Sequence, residues 1–499
     1  MGMGDKIRMA IRSFLKIEPA QKLTVVVDET MDFQTTAFCH RLWYRGKAAE
    51  LNQFYKQIDD STARFWGAVP TRGLEIRKTH TGIPRIIVDT LANIVTRDLN
   101  DLDFQKIEHK DVWAAVENEN DLAGLYSRAI EDALVIGDGA FKISLDASIS
   151  EYPIIEWYPG DRVEFKRERG RIREIIFSDE YQKKGGTYTL KQICGFGYVR
   201  YELYKGDTLV DLGVIEETME LQAVDFDPSF MMAVPFMISE SERWRGRGAS
   251  IYDGKTDNFD ALDEAWSQWV HAMRSARPVR YIPDTLIMRD ENTGKPILRA
   301  NYFDNQYVEI ASDMSERADN HITTEQPNFP AESYNSTFIT ALDLTLQGVI
   351  SPSTLGIDVK KLDNAEAQRE KEKATLYTRN NIIEAFGPML KKLIDTVFKA
   401  YNTASLAPLE DLDIDVTFGE YANPSFEAVV ETLSNPNTPM SIEAKVDEMW
   451  GDSKDDEWKA EEVKRIKEQQ GIVTMDEPMI GGEMNDHNAG QHVPAPGTP

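Results

Sequence analysis

Gly254-Lys255-Thr256, at the end of RGRGASIYDGKT, is this chain's nearest approach to a phosphate-binding loop. Such a loop places four residues between its first glycine and the Gly-Lys pair, so that successive backbone amides curl around one phosphate. Here Gly248 and Gly254 are separated by five, and the preceding SERWRGR does not read as a buried strand. The tripeptide reads instead as the start of a helix. The seven histidines are His40, His80, His109, His271, His321, His487 and His492, and none belongs to an HExxH pair that could seat zinc on one helix face. Cys39 and Cys194 are the only cysteines, too far apart for a zinc knuckle and too few for a disulfide framework. This favours a reducing, cytoplasmic setting of synthesis. His40 adjoins Cys39, but neighbouring side chains on a helix point apart, and no GxSxG elbow is present. Carboxylates abound, so an accidental pair carries no information about acid–base catalysis. These residues assign no catalytic, cofactor-binding or metal-ligating role.

The elements that could position chemistry are more informative. The chain has 499 residues, 41% of them apolar, enough for more than one core. It carries 84 acidic against 56 basic residues, a formal charge of −28, which argues against a surface that grips nucleic acid or anionic lipid everywhere. Mean hydropathy is −0.44, and no apolar run approaches the length of a membrane span, so no membrane role is expected. Residues 1–31 read as an amphipathic arm, with Ile7, Ile11, Phe14 and Leu15 at helical spacing among basic residues. Helical periodicity dominates from 32 to about 145, in 43–58, 84–95 and 121–136, the last closed by Gly137-Asp138-Gly139. From 141 to about 238 short alternating runs separated by Pro-Gly-Asp, Lys-Gly-Gly and Lys-Gly-Asp predict an antiparallel meander.

Beyond 253 the spacing becomes strict. Phe259, Leu262, Trp266, Trp269 and Met273 step by 3, 4, 3 and 4, the narrow seam of a helix lying along a neighbour. Asp257, Asp260, Asp263 and Glu264 in its first turns, with Arg274 and Arg277 at its end, suit the helix dipole. Pro278 stops this helix. A second follows with Tyr334, Phe338, Leu342 and Leu346 in register, and the pair brackets an insert of mixed strand and loop. Pro352 and Gly356 then break the helix, and a long helical stretch runs from 364 to about 402. Its first half is polar, its second half apolar on one face, and Gly387-Pro388 predicts a kink between them. Short helices are expected at 425–433 and 441–470. Residues 471–499, with no Lys or Arg, five Gly and four Pro, read as a disordered acidic tail.

This order of parts resembles the portal proteins of tailed bacteriophages, of the siphophage type. Trp43, Tyr44, Gly46, Leu51, Phe54 and Tyr55 are similar to the family's W-Y-x-G helix and its continuation, followed by Trp66. His80, Pro84, Ile87 and Asp89 resemble the start of its first long wing helix, and Gly137-Asp138-Gly139 its helix-to-strand corner. Gly248-Ala249-Ser250 to Met273 is similar to the first stem helix, although Ser250 is followed by Ile251-Tyr252-Asp253 where the family has an acidic residue. SPSTLGID stands in the place of the tunnel loop, and Asn364-Ala365-Glu366-Ala367 opens what resembles the long wing helix. Ser441-Ile442-Glu443, Trp450, Trp458 and EVKRIKE resemble the closing crown helices.

The resemblance implies an α+β portal fold. Its parts are the arm at 1–31, a mainly helical wing with an antiparallel β region at 32–248, and stem helix 1 at 249–277. A clip insert at 278–330, stem helix 2 at 331–348 and a tunnel loop at 349–363 follow. A long kinked helix and strand at 364–424, a helical crown at 425–470 and the tail at 471–499 complete it. It also implies a noncatalytic homo-oligomeric ring, a dodecamer in the family, at one capsid vertex of a virion assembled in the host cytoplasm. Double-stranded DNA would pass through its channel during packaging and ejection. The implied partners are the terminase large subunit, major capsid and scaffolding proteins, and a head completion or adaptor protein. Phe259, Leu262, Trp266, Trp269 and Met273 are the expected stem seam, packing on a neighbouring subunit or on the second stem helix, and Lys360 and Lys361 the expected DNA-facing residues of the tunnel loop. An acidic wall suits this role, because each neutralised phosphate would add affinity and friction to a sliding polyanion. Two other readings stand beside it: a different virion or scaffold-like interaction protein, and a soluble acidic hydrolase.

Overall fold

A computed structural model describes residues 31–58, 64–70, 76–104, 106–183, 185–297, 307–311, 321–357, 365–409, 412, 414–419, 441–450 and 456–469. The expected arm up to residue 30, Lys360 and Lys361, the helix expected at 425–433 and the tail at 471–499 lie outside the described residues. The chain divides into two units, 1–419 and 420–499.

The first unit opens with helices α1 (Phe33–Arg45) and α2 (Ala48–Tyr55). Asp32 caps α1 by accepting from Thr35 N at 2.7 Å, and Gly46, at φ 67°, closes it in the left-handed region. Helix α3 (Ile83–Arg97) starts on Pro84 at its first turn and buries Ile87, Val88, Leu91 and Val95 on one face. Strand β1 (Leu99–Phe104), α4 (Ile107–Asn120) and α5 (Leu122–Ile136) follow. Helix α5 is buried along most of its last turns and ends at Gly137, φ 117°.

At that corner the chain enters β2 (Asp138–Ser144), which pairs antiparallel with β3 (Ile154–Pro159) and β10 (Ala233–Met237). The sequence places the β3 segment in the same meander as the later strands. It instead joins β2, because a 3-10 turn at Gly160–Arg162 redirects the chain. The meander proper is β4 (Val163–Glu168), β5 (Arg171–Lys183), β6 (Gly186–Gly195), β7 (Tyr198–Lys205) and β8 (Thr208–Val210), all antiparallel, with β9 (Val224–Asp225) against β7.

Helix α6 (Thr256–Ser275) and helix α7 (Ala331–Leu346) pack together. Between them β11 (Val279–Pro283) pairs parallel with β12 (Tyr307–Ile310) and antiparallel with β13 (Thr323–Glu325), a small separate sheet. Helix α8 (Ala365–Ala404) then runs for 40 residues, with Pro388 inside it. The helix runs unbroken through Gly387-Pro388, the place where the sequence predicts a kink. Burial of Ile382, Phe386, Leu390, Leu393 and Val397 on one continuous stripe holds it together across the single backbone hydrogen bond that Pro388 cannot donate. Strand β14 (Ile414–Phe418) returns to pair with β1. Helices, β2–β3–β10 and the apolar half of α8 share one large core.

The second unit contains α9 (Ile442–Trp450) and α10 (Asp456–Gln469), which pack together. Lys467 donates to Glu443 across the pair, and hydrogen bonds led by this one hold the Glu443 carboxyl down to about 2.

Candidate functional site: the base of the helix pair

The seam read from the sequence divides in two. Phe259 and Leu262 are buried in the main core, where the Phe259 ring lies 5.6 Å from that of Trp43 and 5.2 Å from that of Tyr252. Trp266 and Trp269 are half-buried against Phe338 of α7, at ring distances of 5.5 and 6.0 Å, and Met273 is 45% exposed. Within the chain, then, the seam meets the protein's own core and then α7, and its last residue is open.

One residue along, α6 carries a second stripe with the same spacing. Asp260, Asp263 and Ser267 are all buried. Asp263, fully inaccessible, accepts from four donors: Trp66 Nε1 at 3.1 Å, Thr81 N at 2.8 Å, Thr81 Oγ1 at 2.9 Å, and the imidazole of His80, whose Nδ1 lies 2.7 Å away. Asp260 accepts from Phe65 N at 2.8 Å and Trp66 N at 3.2 Å, and burial pushes its carboxyl up against the lowering effect of those bonds. Ser267 Oγ accepts from Thr79 N at 2.9 Å. Lys78 completes the joint from the other side, donating to the carbonyls of Phe65, Trp66 (3.0 Å) and Ala68 (2.9 Å). Two of the three aspartates that suit the helix dipole, Asp260 and Asp263, are thus buried acceptors that fasten two loops to α6, while Asp257 is exposed. Only their 3 and 4 spacing, parallel to the apolar seam, marked them beforehand.

The residues around this joint are those in which the sequence is most distinctive. Trp43, fully buried, donates from Nε1 to Tyr55 Oη at 2.8 Å. Tyr44 donates to Asp89 at 2.8 Å. A Cβ on Gly46 would come within 2.8 Å of the His80 ring, so glycine is needed there for contact as well as for its positive φ. Tyr252 donates to the Pro84 carbonyl at 2.7 Å.

Helix α6 begins at Thr256, later than the 249 expected. Ser250 instead donates from Oγ to the Val135 carbonyl at 2.6 Å and accepts from Tyr252 N at 3.0 Å, so 249–255 is a turn that fastens the chain to the end of α5. Gly248 lies against Gly137 so closely that a Cβ on either would strike the other's carbonyl oxygen. Fully buried Asp138 accepts from Arg247 Nε at 2.8 Å, Arg247 Nη2 at 2.7 Å and Gly248 N at 2.7 Å, locking this crossing. Lys255, the residue a phosphate loop would use, donates to the carbonyls of Leu344 (3.1 Å) and Gln347 (2.9 Å) at the end of α7. It occupies a helix C-terminus, where positive charge is favoured.

Cys39 and His40 line a cavity of about 140 Å³ with Tyr55, Tyr252 and Asp253. That is well below the roughly 300–1,000 Å³ of typical ligand clefts. Burial raises the Cys39 thiol and lowers the His40 imidazole, the opposite of an activated thiolate–imidazolium pair. Among the described residues no group of three or more His, Cys, Asp or Glu is arranged to hold a metal ion, and no helix is long and apolar enough to cross a membrane.

The described part of the expected tunnel loop, 349–357, is docked on α8. Ser351 N donates to Thr375 Oγ1 at 2.8 Å, and Thr378 Oγ1 donates to the Val349 carbonyl at 2.7 Å. Ile350, Ser351 and Pro352 are buried.

No family model matches the chain, and no curated protein matches it. Among solved structures, it is similar to a chain of the virion of a native gene transfer agent particle, with 13% identity over 73% of this chain and 88% of that one and a TM-score of 0.38. A chain from the neck of the native particle, computed with C12 symmetry, gives 13% identity, 74% and 91% coverage and a TM-score of 0.37. One from the neck of the empty particle, computed with C6 symmetry, gives 13%, 76% and 94%, and 0.35.

Proposed function

We propose that this protein is a portal: a noncatalytic subunit of a homo-oligomeric ring, dodecameric by its family resemblance, at one vertex of a tailed-phage-like capsid. Double-stranded DNA passes through its channel, and the terminase large subunit and head–tail connector proteins dock on it in turn. The observation that carries this reading is the helix pair α6–α7 with its small β insert. Its base is fixed by Asp260, Asp263, Ser267 and Lys255. Toward the far end, the aromatic contacts across the pair are made by Trp266, Trp269 and Phe338, while Met273 is 45% exposed. Two helices without a third layer bury too little to stand alone, and identical pairs packed side by side around an axis supply what is missing. The portal resemblance gives the same parts in the same order, with α6 and α7 as stem, 278–330 as clip and α8 as the long wing helix.

Native mass spectrometry and negative-stain microscopy of the purified chain test this. Closed rings with a central hole are expected. Open or irregular assemblies would favour another virion or scaffold-like protein, and a small globular species with no ring would sink the proposal.

A further inference from the structure

The chain's charge is unevenly spread, and one hairpin runs against it. Six of the twelve residues at 162–173 are basic (Arg162, Lys166, Arg167, Arg169, Arg171 and Arg173) and two are acidic, in a chain with 84 acidic and 56 basic residues. All six basic residues are exposed. Lys166 pairs with Glu174 at 2.9 Å and Arg173 with Glu168 at 2.9 Å. Arg167 donates to the Gly246 carbonyl at 3.0 Å, which brings the exposed Arg245 alongside. Among the described residues no ion-pair partner is recorded for Arg162, Arg169, Arg171 or Arg245.

The shape is as distinctive as the charge. Strand β6 pairs with β5 only as far as Glu174, opposite Gly195, and β4 is the edge of its sheet. Residues 166–173 therefore extend past the sheet as a two-stranded ribbon. The ribbon turns through Arg169 and Gly170, both at positive φ (50° and 82°), the pattern of a type I′ turn. Asn, Asp or Gly take the first of these positions without strain, whereas an arginine is disfavoured there. A strained backbone that places a guanidinium at the outermost point of an exposed turn is a reason to look for what that guanidinium meets.

We infer that the β4–β5 ribbon is a contact site for duplex DNA, with Arg169 and Arg171 on phosphates and the ribbon lying in the major groove. That groove admits a two-stranded β-ribbon, and arginine's planar fork matches phosphate oxygens in a way lysine's point charge does not. The contact would be separate from any channel loop. Phosphate contacts fix position and read no sequence, so affinity is equal across duplexes of different sequence. The inference rests on the portal reading only for where the DNA comes from.

The test is fluorescence anisotropy of the full chain with short mixed-sequence duplex DNA over a salt series. The double variant Arg169→Asn, Arg171→Gln should lower affinity about tenfold at low salt and reduce the slope of log K against log salt by about two, near 0.9 per phosphate lost. Arg169→Asn alone should keep or raise the melting temperature, because asparagine tolerates the turn, which separates lost contact from lost fold. Unchanged affinity and slope in a folded double variant would overturn the inference. So would a variant that binds DNA normally but loses oligomer mass, since the ribbon would then meet an acidic protein surface. Rings with no ribbon-dependent DNA binding would end this inference and leave the portal reading intact; ribbon-dependent binding by a chain that forms no ring would do the reverse.

Discussion

The two ends of helix α6 are built by opposite means. At its base, Asp263 and Trp66 are fully inaccessible, and Asp260 and Asp263 find their partners in loops nearly two hundred residues away in sequence. Toward its other end, Trp266 and Trp269 share one phenylalanine ring, and Met273 lies open. The base is specified by hydrogen bonds that tolerate little displacement, because buried acceptors without donors are costly. The far end is specified by ring packing, which accepts whatever apolar surface comes alongside. A subunit built this way brings a rigid anchor to an assembly and leaves its mating surface unfinished.

The largest effect should come from the anchor. Asp263→Ala strands the Trp66 indole, the Thr81 amide and His80 in a closed space, and each buried donor left without an acceptor costs about 1–3 kcal/mol. Denaturant unfolding should show a correspondingly lower midpoint. If Asp263→Ala costs no more than a typical surface change, the anchor is not rigid and the contrast fails.

Next comes the unfinished surface. Trp266→Ala with Trp269→Ala removes two half-buried rings, so monomer stability should fall by less than the roughly 3–5 kcal/mol of one fully buried tryptophan, while oligomer mass falls sharply. Native mass spectrometry and denaturation of the same sample separate the two. An unchanged oligomer with a large stability loss would mean that this end, too, is finished within one chain.

Lys255→Ala sits on the boundary. It removes a cation from the last carbonyls of α7 and should cost about 1 kcal/mol, with no change in nucleotide turnover. Turnover by the purified protein that disappears in this variant would restore the phosphate-loop reading. The smallest effect reports on the anchor in the native state. Burial raises the Cys39 thiol, and its sulfur sits 3.5 Å from Tyr55 Oη, so a thiol-reactive probe at neutral pH should label it only as the base opens. Rapid labelling without denaturant would show that the base breathes.

The sequence made the apolar side of this region legible and hid the polar side. Phe259, Leu262, Trp266, Trp269 and Met273 declare a seam by spacing, and α3, α5, the α6–α7 pair, the insert and most of the meander follow from periodicity and glycine turns, whereas the stretch 43–58, expected as one helix, is divided at Gly46 between the end of α1 and α2. Asp260, Asp263 and Ser267 have the same spacing, but a carboxylate in a first turn satisfies the helix dipole equally well. Which face it buries depends on loops at 64–68 and 78–81 that show no periodicity. The start of α6 is hidden for a related reason: Ser250 stands where the resemblance puts the helix entry and serves instead as a tie to α5. The runs RVEF and REIIF read as separate strands of the meander, but arginine is a poor type I′ residue, so nothing marks Arg169-Gly170 as the turn between them.

The pairing of β1 with β14 has a consequence for synthesis. Leu102 finds its partner at Val416, more than three hundred residues later, and Arg379 of α8 reaches both Asp98 and the Gly419 carbonyl at the same place. On a ribosome the first of these residues waits for nearly the whole first unit to emerge, and contacts of such separation form late and slowly. Until then β1 has a bare edge beside the partly built core, the kind of surface that recruits other nascent chains. A chain cut short before 414 cannot cover it, so truncated products should aggregate rather than join an assembly as defective members.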